Sequence, residues 1–298
     1  MKHTSTEREY GVAPPGYRLP DLTRLGRAQL QVSNLDQSIT YYRDVLGLRV
    51  LRSTAGTAEL GPHVADHVLL ELHERRGARA VPSAGLLGLY HFAILLPNRP
   101  ALRRFVRHLL GLGLKFGSAD HFVSESTYLW DPDGLGIEVY ADRPRDAWRA
   151  RGRELLMGTE QLDLRSVIDA GGSQKWTGMP NGSILGHMHL SVGNLVAARN
   201  FYHTALGFDA VVWSYPGALF LSAGSYHHHL GTNTWAAGAQ PASNDDAKLL
   251  EWELLLPQQA DVNDAAESVR GVGYSVTIDG ADRVLTDPWG TKLRLLQG

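Results

Sequence analysis

Apolar and polar positions alternate with the period of a β-strand over residues 28–32 and again over residues 187–192. Each run leads through Asn-Leu into a helical pattern that ends at Leu-Gly, and further strand-like runs follow it. The Asn side chains suit helix N-caps and the glycines suit helix stops. The caps and stops predicted in this way are Asn34, Asn194, Gly47 and Gly207.

The same unit opens twice more along the chain. Strand-like runs at Tyr90–Pro97 and Glu251–Pro257 are each followed by a helical stretch, Arg99–Leu110 and Gln259–Arg270. The pattern therefore predicts four modules, each made of one strand, one helix and about three strands. We number these modules one to four in chain order.

An internal repeat relates the two halves of the chain. The stretch LGRAQLQVSNLDQSITYYRDVLG begins at Leu25, and LGHMHLSVGNLVAARNFYHTALG begins at Leu185, so the two align without a gap at an offset of 160 residues. An Asp-Pro turn also recurs, at Asp131 and Asp287. The predicted division is an N-terminal arm (1–24), an N-terminal domain of two modules (25–142), a linker with one helix (143–182) and a C-terminal domain of two modules (183–298).

Composition restricts the chemistry that the chain can perform. Apolar residues make up 43% of the 298 positions and charged residues 20%, which is typical of a globular protein. The formal net charge of −2 argues against nucleic acid or an anionic membrane as a partner. The absence of cysteine excludes thiolate metal sites and cysteine nucleophiles. With no signal peptide and no apolar run long enough to span a membrane, we expect a cytoplasmic protein. The sequence leaves homo-oligomer formation open.

Several motifs give the chain a family resemblance. The DPDGLGIEVY stretch and the repeated strand–Asn-Leu–helix–Leu-Gly openings resemble the vicinal-oxygen-chelate superfamily, which includes glyoxalase, bleomycin-resistance proteins and extradiol dioxygenases. The stretches YHFAILLP, GHMHLSV and YHHHLGTNTW look closest to its four-module, catechol 2,3-dioxygenase-like members. The resemblance implies an α+β fold in which four βαβββ modules pair into two curled half-barrel metal cups.

In this superfamily, metal ligands come from the first and the last strand of a module. The first-strand positions are Arg27, His91, His187 and Glu251, and the last-strand positions are Glu138 and Arg294. Pairing modules three and four would put Arg294 among the ligands, and pairing modules one and two would put Arg27 there; a guanidinium repels a metal ion.

Pairing modules two and three gives His91, Glu138 and His187 instead. Two neutral imidazoles and one carboxylate form the facial triad that leaves positions open on iron(II). Mn, Ni, Zn or Co remain alternative metals. Taken singly, a strand histidine is more often a hydrogen-bonded core residue than a ligand, so the joint placement of the three carries the interpretation. It requires module one to pair with module four.

The resemblance also implies catalytic residues around this cup. Tyr128 precedes Glu138 by the ten residues found in extradiol enzymes, where a tyrosine hydroxyl touches the substrate. His121 is a candidate hydrogen-bond donor just outside the groups that hold the metal and the substrate. The motif that begins at Tyr226 matches a paired-histidine motif, one member of which acts as the acid–base residue in extradiol enzymes. For this role we prefer His229, with His228 as the second choice.

The function implied is an Fe(II)-dependent extradiol dioxygenase that takes a small aromatic substrate of the catechol type and dioxygen. Two alternatives remain open. One is a glyoxalase-like, metal-dependent isomerase or lyase, and the other is a metal-free ligand-binding protein of the bleomycin-resistance kind.

Overall fold

The computed structural model describes residues 10–64, 66–169 and 174–298, so residues 1–9 of the predicted arm lie outside it. The strands of modules one and two are β1 (Arg24–Val32), β2 (Arg49–Ser53), β3 (Thr57–Gly61), β4 (Leu70–Glu74), β5 (Gly88–Leu95), β6 (Gly117–Asp120), β7 (Ser124–Trp130) and β8 (Gly136–Asp142). The linker carries β9 (Ala150–Arg151) and β10 (Glu154–Leu155). Those of modules three and four are β11 (Ile184–Ser191), β12 (Asp209–Val212), β13 (Ala218–Ser222), β14 (Leu230–Asn233), β15 (Lys248–Leu256), β16 (Val276–Asp279), β17 (Asp282–Thr286) and β18 (Lys292–Gln297).

Each module carries its helix directly after its first strand. The helices are α1 (Leu35–Asp44), α2 (Arg99–Gly111), α3 (Leu164–Asp169, in the linker), α4 (Leu195–Ala198, continued by a π-helical turn over Arg199–Ala205) and α5 (Gln259–Gly271). The side chains of Asn34 and Asn194 accept hydrogen bonds from the backbone of the first turn, as the sequence predicts for N-caps. Gly47 and Gly207 adopt positive φ angles of 73° and 101° beyond the helix ends.

The modules pair across the two halves of the chain. One eight-stranded sheet has the order β16-β17-β18-β15-β1-β4-β3-β2, so it joins module four to module one. The other has the order β12-β13-β14-β11-β5-β8-β7-β6 and joins module three to module two. The pairing that the candidate ligands require is thus the observed one. The four βαβββ modules and the mixed α/β class are confirmed, whereas the domain boundaries stay a prediction, because each half contributes one module to each sheet.

Two equivalent hydrogen bonds tie consecutive modules together. The hydroxyl of Tyr42 on α1 donates to Asp131 in the turn before β8 across 3.0 Å, and Tyr202 donates in the same way to Asp287 across 2.9 Å. The Asp131 carboxylate also accepts from the backbone N–H groups of Asp133 and Leu135, so this residue organises the turn. Burial raises the pKa of Asp131 to about 7.

Strand alternation separates a packed face from a cup face in the sheet of modules two and three. Phe92 and Ile94 of β5 belong to the same buried apolar cluster as Leu102 and Phe105 of α2. The linker adds the buried Trp148 to a second apolar cluster. Among the described residues, no helix is both long and apolar enough to span a membrane.

Candidate metal centre and active-site cavity

Three strands in the centre of the second sheet form the floor of a cup. In the register of β5, Ala93 lies opposite His187 of β11 on one side and opposite Glu138 of β8 on the other. Alternation puts His91, Ala93, His187 and Glu138 on one face of the sheet. Because the side chain of Ala93 ends at a methyl group, the longer side chains beside it can converge above it.

The tips of the three candidate ligands meet at one point. The Nε2 atoms of His91 and His187 are 3.3 Å apart, and each lies within 3.1 Å of Oε2 of Glu138. Two ligand atoms held at right angles about 2.1 Å from a shared ion would be about 3.0 Å apart, so these separations fit one divalent cation. Within the part of the chain that the structure describes, these three residues are the group placed to hold a metal ion.

The protonation states also suit metal binding. Burial opposes ionisation of Glu138, but the two imidazoles outweigh it and hold the pKa of the carboxyl well below its ordinary value. Burial lowers the pKa of His187 to about 4, so its ring is neutral near pH 7. Ser126 donates to Oε1 of Glu138 across 2.5 Å, which leaves Oε2 for the ion. Two imidazole nitrogens and one carboxylate oxygen fit Fe(II), and equally Mn, Co, Ni or Zn.

Tyr128 and His121 form a hydrogen-bonded pair at the side of the cup. His121 Nδ1 donates to the carbonyl oxygen of Gly158 across 2.7 Å. Its Nε2 therefore accepts a hydrogen bond from the Tyr128 hydroxyl at 2.5 Å. Burial, with the nearby carboxylate of Glu138, raises the pKa of Tyr128 well above its ordinary value. The phenol therefore stays protonated, and its oxygen is free to accept a hydrogen bond from a substrate hydroxyl.

A chain of hydrogen bonds behind the cup fixes the tautomer of His228. His227 Nε2 lies 2.9 Å from Oδ1 of Asp142, and its Nδ1 lies 2.7 Å from Nδ1 of His228. Because the carboxylate only accepts, His227 donates from Nε2, and its Nδ1 accepts from His228. His228 Nε2 is then left without a proton. Its ring packs against that of His187 at 4.0 Å between centroids and lines the cavity.

His229, the first choice on sequence grounds for the acid–base, points elsewhere. Its Nδ1 accepts the backbone N–H of Ala223, its ring stacks on Phe208, and it does not line the cavity. Burial lowers the pKa of His229 to about 3. Residues 226–229 lie just before β14 and follow a turn in which Ser225 has a φ of 53°. The geometry favours His228.

Comparison with known proteins identifies the family. The Glyoxalase/Bleomycin resistance protein/Dioxygenase superfamily profile matches residues 24–139. Over 260 residues the chain is 43% identical to a protein named catechol-2,3-dioxygenase from Bacillus subtilis (strain 168), covering 85% of this chain and 90% of that protein. The chain belongs to this superfamily.

Several solved structures share the fold of this chain, although their sequence identity to it is low. A crystal structure of a candidate dioxygenase from Bacillus subtilis subsp. subtilis str. 168 superposes with a TM-score of 0.64 at 14% identity, covering 94% of this chain and 86% of that chain. Glyoxalase I from Zea mays superposes with a TM-score of 0.55 at 18% identity, covering 92% of each chain. These likenesses concern the fold alone.

One histidine that lines the cup, His189, was not predicted from the sequence. It lies two positions after His187 on β11, directly opposite His91, and its ring packs against that of His91 at 4.9 Å between centroids. Its buried Nε2 has no hydrogen-bond partner among the described residues, although the side chain lines the cavity. Strand alternation from His187 was the signal that could have found it.

The cup opens into a cavity of about 400 Å³. The candidate ligands line it, and Gly158 and Thr159 of the linker form part of its wall, where Thr159 hydrogen bonds to the Tyr215 hydroxyl at 2.9 Å. The cavity is lined mainly by apolar and aromatic side chains: Tyr90, Ala119, Leu129, Trp130, Ile137, Met157, Tyr215, Phe220 and Trp235.

The sheet of modules one and four carries ion pairs at the corresponding place. Arg27, the counterpart of His187, bridges Glu253 at 2.8 Å and Glu71 at 2.9 Å. Arg294, the counterpart of Glu138, pairs with Glu251 at 2.6 Å. Each guanidinium supplies the positive charge that these glutamates need.

Proposed function

We propose that this protein is an extradiol ring-cleaving dioxygenase that opens a catechol-like aromatic with dioxygen, at a mononuclear Fe(II) site made of His91, Glu138 and His187. The observation that carries the proposal is the convergence of two imidazole nitrogens and one carboxylate oxygen in an aromatic-lined cavity. The 43% identity to a protein named catechol-2,3-dioxygenase supports the same chemistry.

The three ligands would occupy one side of the ion and leave the cavity side for the substrate. Bound there, Fe(II) would acidify a catechol hydroxyl and supply the redox chemistry that dioxygen requires. The residues of the chain bind and orient the ring, because the cavity wall is mainly apolar and Tyr128, His121 and His228 line the same cavity as the ligands.

Proton transfer is the work of His228 in this proposal. Its Nε2 is the unprotonated nitrogen, so it accepts the proton of the second substrate hydroxyl, and it returns that proton as the ring opens. The hydrogen-bonded chain to His227 and Asp142 stabilises the positive charge formed meanwhile. Tyr128 accepts a hydrogen bond from the substrate and is itself held by His121.

Oxygen consumption by Fe(II)-loaded protein tests the proposal. The protein is loaded without oxygen, mixed with catechol in air-saturated buffer, and followed by an oxygen electrode and by the absorbance of the yellow ring-opened product. We expect uptake by the parent protein and none by His187→Ala. A protein that binds metal but consumes no oxygen with any catechol would overturn the proposal in favour of a glyoxalase-like isomerase or lyase. One that binds no metal would favour a ligand-binding protein.

A further inference from the structure

In the part of the chain that the structure describes, the walls of the cavity carry an acidic residue but no lysine or arginine. Among the described residues that line it, none is Lys or Arg, and Glu138 is the one carboxylate. Arg143, which directly follows β8, pairs with Asp120 and Glu125. A negatively charged substituent on a bound aromatic ring would therefore find no cation along the walls.

Large aromatic side chains surround the mouth of the same cavity. Tyr90, Trp130 and Trp235 line it while remaining 44%, 60% and 51% exposed, and the rings of Tyr90 and Trp235 meet edge to face at 5.3 Å. Exposed tryptophans clustered at a cavity mouth mark a surface that gains from being covered by an apolar group. The mouth thus continues the apolar character of the walls.

The linker contributes Met157 to the apolar part of the wall. Met157 lies just before Gly158, whose carbonyl accepts the hydrogen bond from His121, so the linker is fixed against the catalytic side of the cavity. The flexible, unbranched methionine side chain adapts to apolar groups of different shape. Its place on the wall makes Met157 a residue at which the charge of the cavity can be changed without touching the candidate ligands.

The size of the cavity bears on the substrate as well. At about 400 Å³ it is several times larger than a bare catechol ring, whose volume is on the order of 100 Å³. A divalent ion, one glutamate and a singly deprotonated catechol sum to zero charge. A further carboxylate on the ring would add an unpaired negative charge inside an apolar wall, which is costly.

We propose that the site selects uncharged catechols that carry an apolar ring substituent, such as an alkyl or aryl group, and discriminates against catechols that carry a carboxylate. The proposal rests on the proposed ring-cleaving function and names its substrate class. Met157, Trp130 and Trp235 are the residues that contact the substituent.

Three probes that share the catechol ring test it: 4-ethylcatechol, 3,4-dihydroxyphenylacetate and the methyl ester of the latter. Binding to the Fe(II)-loaded protein is measured by calorimetry without oxygen, and kcat/KM is measured with oxygen. We expect the ethyl compound and the ester to bind within about 10-fold of each other and the free acid at least about 100-fold more weakly, because its charge is buried without a partner. Binding of the ethyl compound should show a more negative heat-capacity change than binding of the free acid.

Variants at Met157 test the charge argument directly. Met157→Arg places a cation on the wall and should shift the preference toward the acid by about 10-fold or more. Met157→Gln is the uncharged control of similar length and should leave the order of the three probes unchanged. If Met157→Arg fails to fold, the comparison of acid and ester on the parent protein still decides the charge argument.

The outcomes separate this inference from the proposed function. Ring opening with the acid bound as tightly as the ethyl compound would overturn the inference and keep the function. An ester as weak as the acid would also overturn it, because size rather than charge would then govern the choice. The expected order of binding without oxygen consumption by any probe would uphold the selectivity of the cavity and overturn the ring-cleaving function.

Discussion

His227 and Asp142 are joined by a hydrogen bond of 2.9 Å from the imidazole Nε2 to the carboxylate Oδ1. The bond lies outside the cup, yet it determines which nitrogen of the next histidine can act as a base. Because Nε2 of His227 donates to Asp142, Nδ1 of His227 accepts from Nδ1 of His228. The Nε2 atom of His228 is then left unprotonated.

Asp142→Asn should therefore impair proton transfer without emptying the metal site. An amide no longer fixes the tautomer of His227 or stabilises the positive charge formed on His228, so we expect kcat to fall roughly 10- to 100-fold. The catechol KM and the iron content should change little. In a His228→Ala background the same substitution should have almost no further effect on kcat. An equal, additional loss in that background would show that Asp142 acts by another route.

His187 and His189 lie on the same face of β11 but should have different roles. His187→Ala removes a proposed ligand, and we expect the Fe(II) content of the protein to fall to background. His189→Ala should retain iron and lower kcat/KM roughly 10-fold or more, since we expect the unpartnered Nε2 of His189 to hydrogen bond with the bound substrate. Metal analysis of both purified variants checks this. Iron loss in His189→Ala alone would reverse the assignment.

Ser126 and Thr127 offer a matched test of how Glu138 is held. Ser126 donates to the carboxylate of Glu138, whereas its neighbour Thr127 donates to the carbonyl oxygen of Val139. Ser126→Ala should weaken Fe(II) binding about 10- to 100-fold, the usual cost of losing a partner that orients a ligand. Thr127→Ala should leave Fe(II) affinity unchanged. Competition with a chelator measures both, and equal affinities in the two variants would contradict the role of Ser126.

Asp131 should make stability depend on pH. Its folded pKa of about 7 lies above the unfolded value of about 3.9, so the folded protein holds more protons between these values. Its stabilising contribution is complete below pH about 4 and is lost as the pH rises through about 7.

Asp131→Asn removes this titration. We expect the free energy of unfolding of the variant, relative to the parent, to rise between pH 4 and 8 by at most about 4 kcal/mol. Urea denaturation at several pH values measures the difference. A difference that stays constant with pH would show that Asp131 does not titrate in this range.

Much of the fold could be predicted from local signals. The caps at Asn34 and Asn194 and the helices over 99–110 and 259–270 depend on neighbouring residues, and the structure reproduces them. The pairing of modules was not local, but the arginines at 27 and 294 excluded the other arrangements by charge. The grouping of His91, Glu138 and His187 followed from that pairing, and their role as ligands stays a prediction.

The details of the cavity could not be predicted in the same way. The choice between His228 and His229 depends on the segment after the turn at Ser225, and no local pattern fixes which of the two rings enters the cavity. The linker carried no recognisable motif, yet Met157 and Gly158 form part of the cavity wall through contacts with modules two and three. Such contacts join residues far apart in the sequence, and no local pattern encodes them.

Ring opening under isotopically labelled dioxygen is the most direct test of the central claim. Fe(II)-loaded protein is supplied with 4-ethylcatechol under ¹⁸O₂, and the yellow product is analysed by mass spectrometry, with His187→Ala as the control. The account predicts a ring-opened product in which both oxygen atoms of one dioxygen molecule are incorporated, and no product from the variant. A product that carries no label, or one formed equally by the variant, would contradict it.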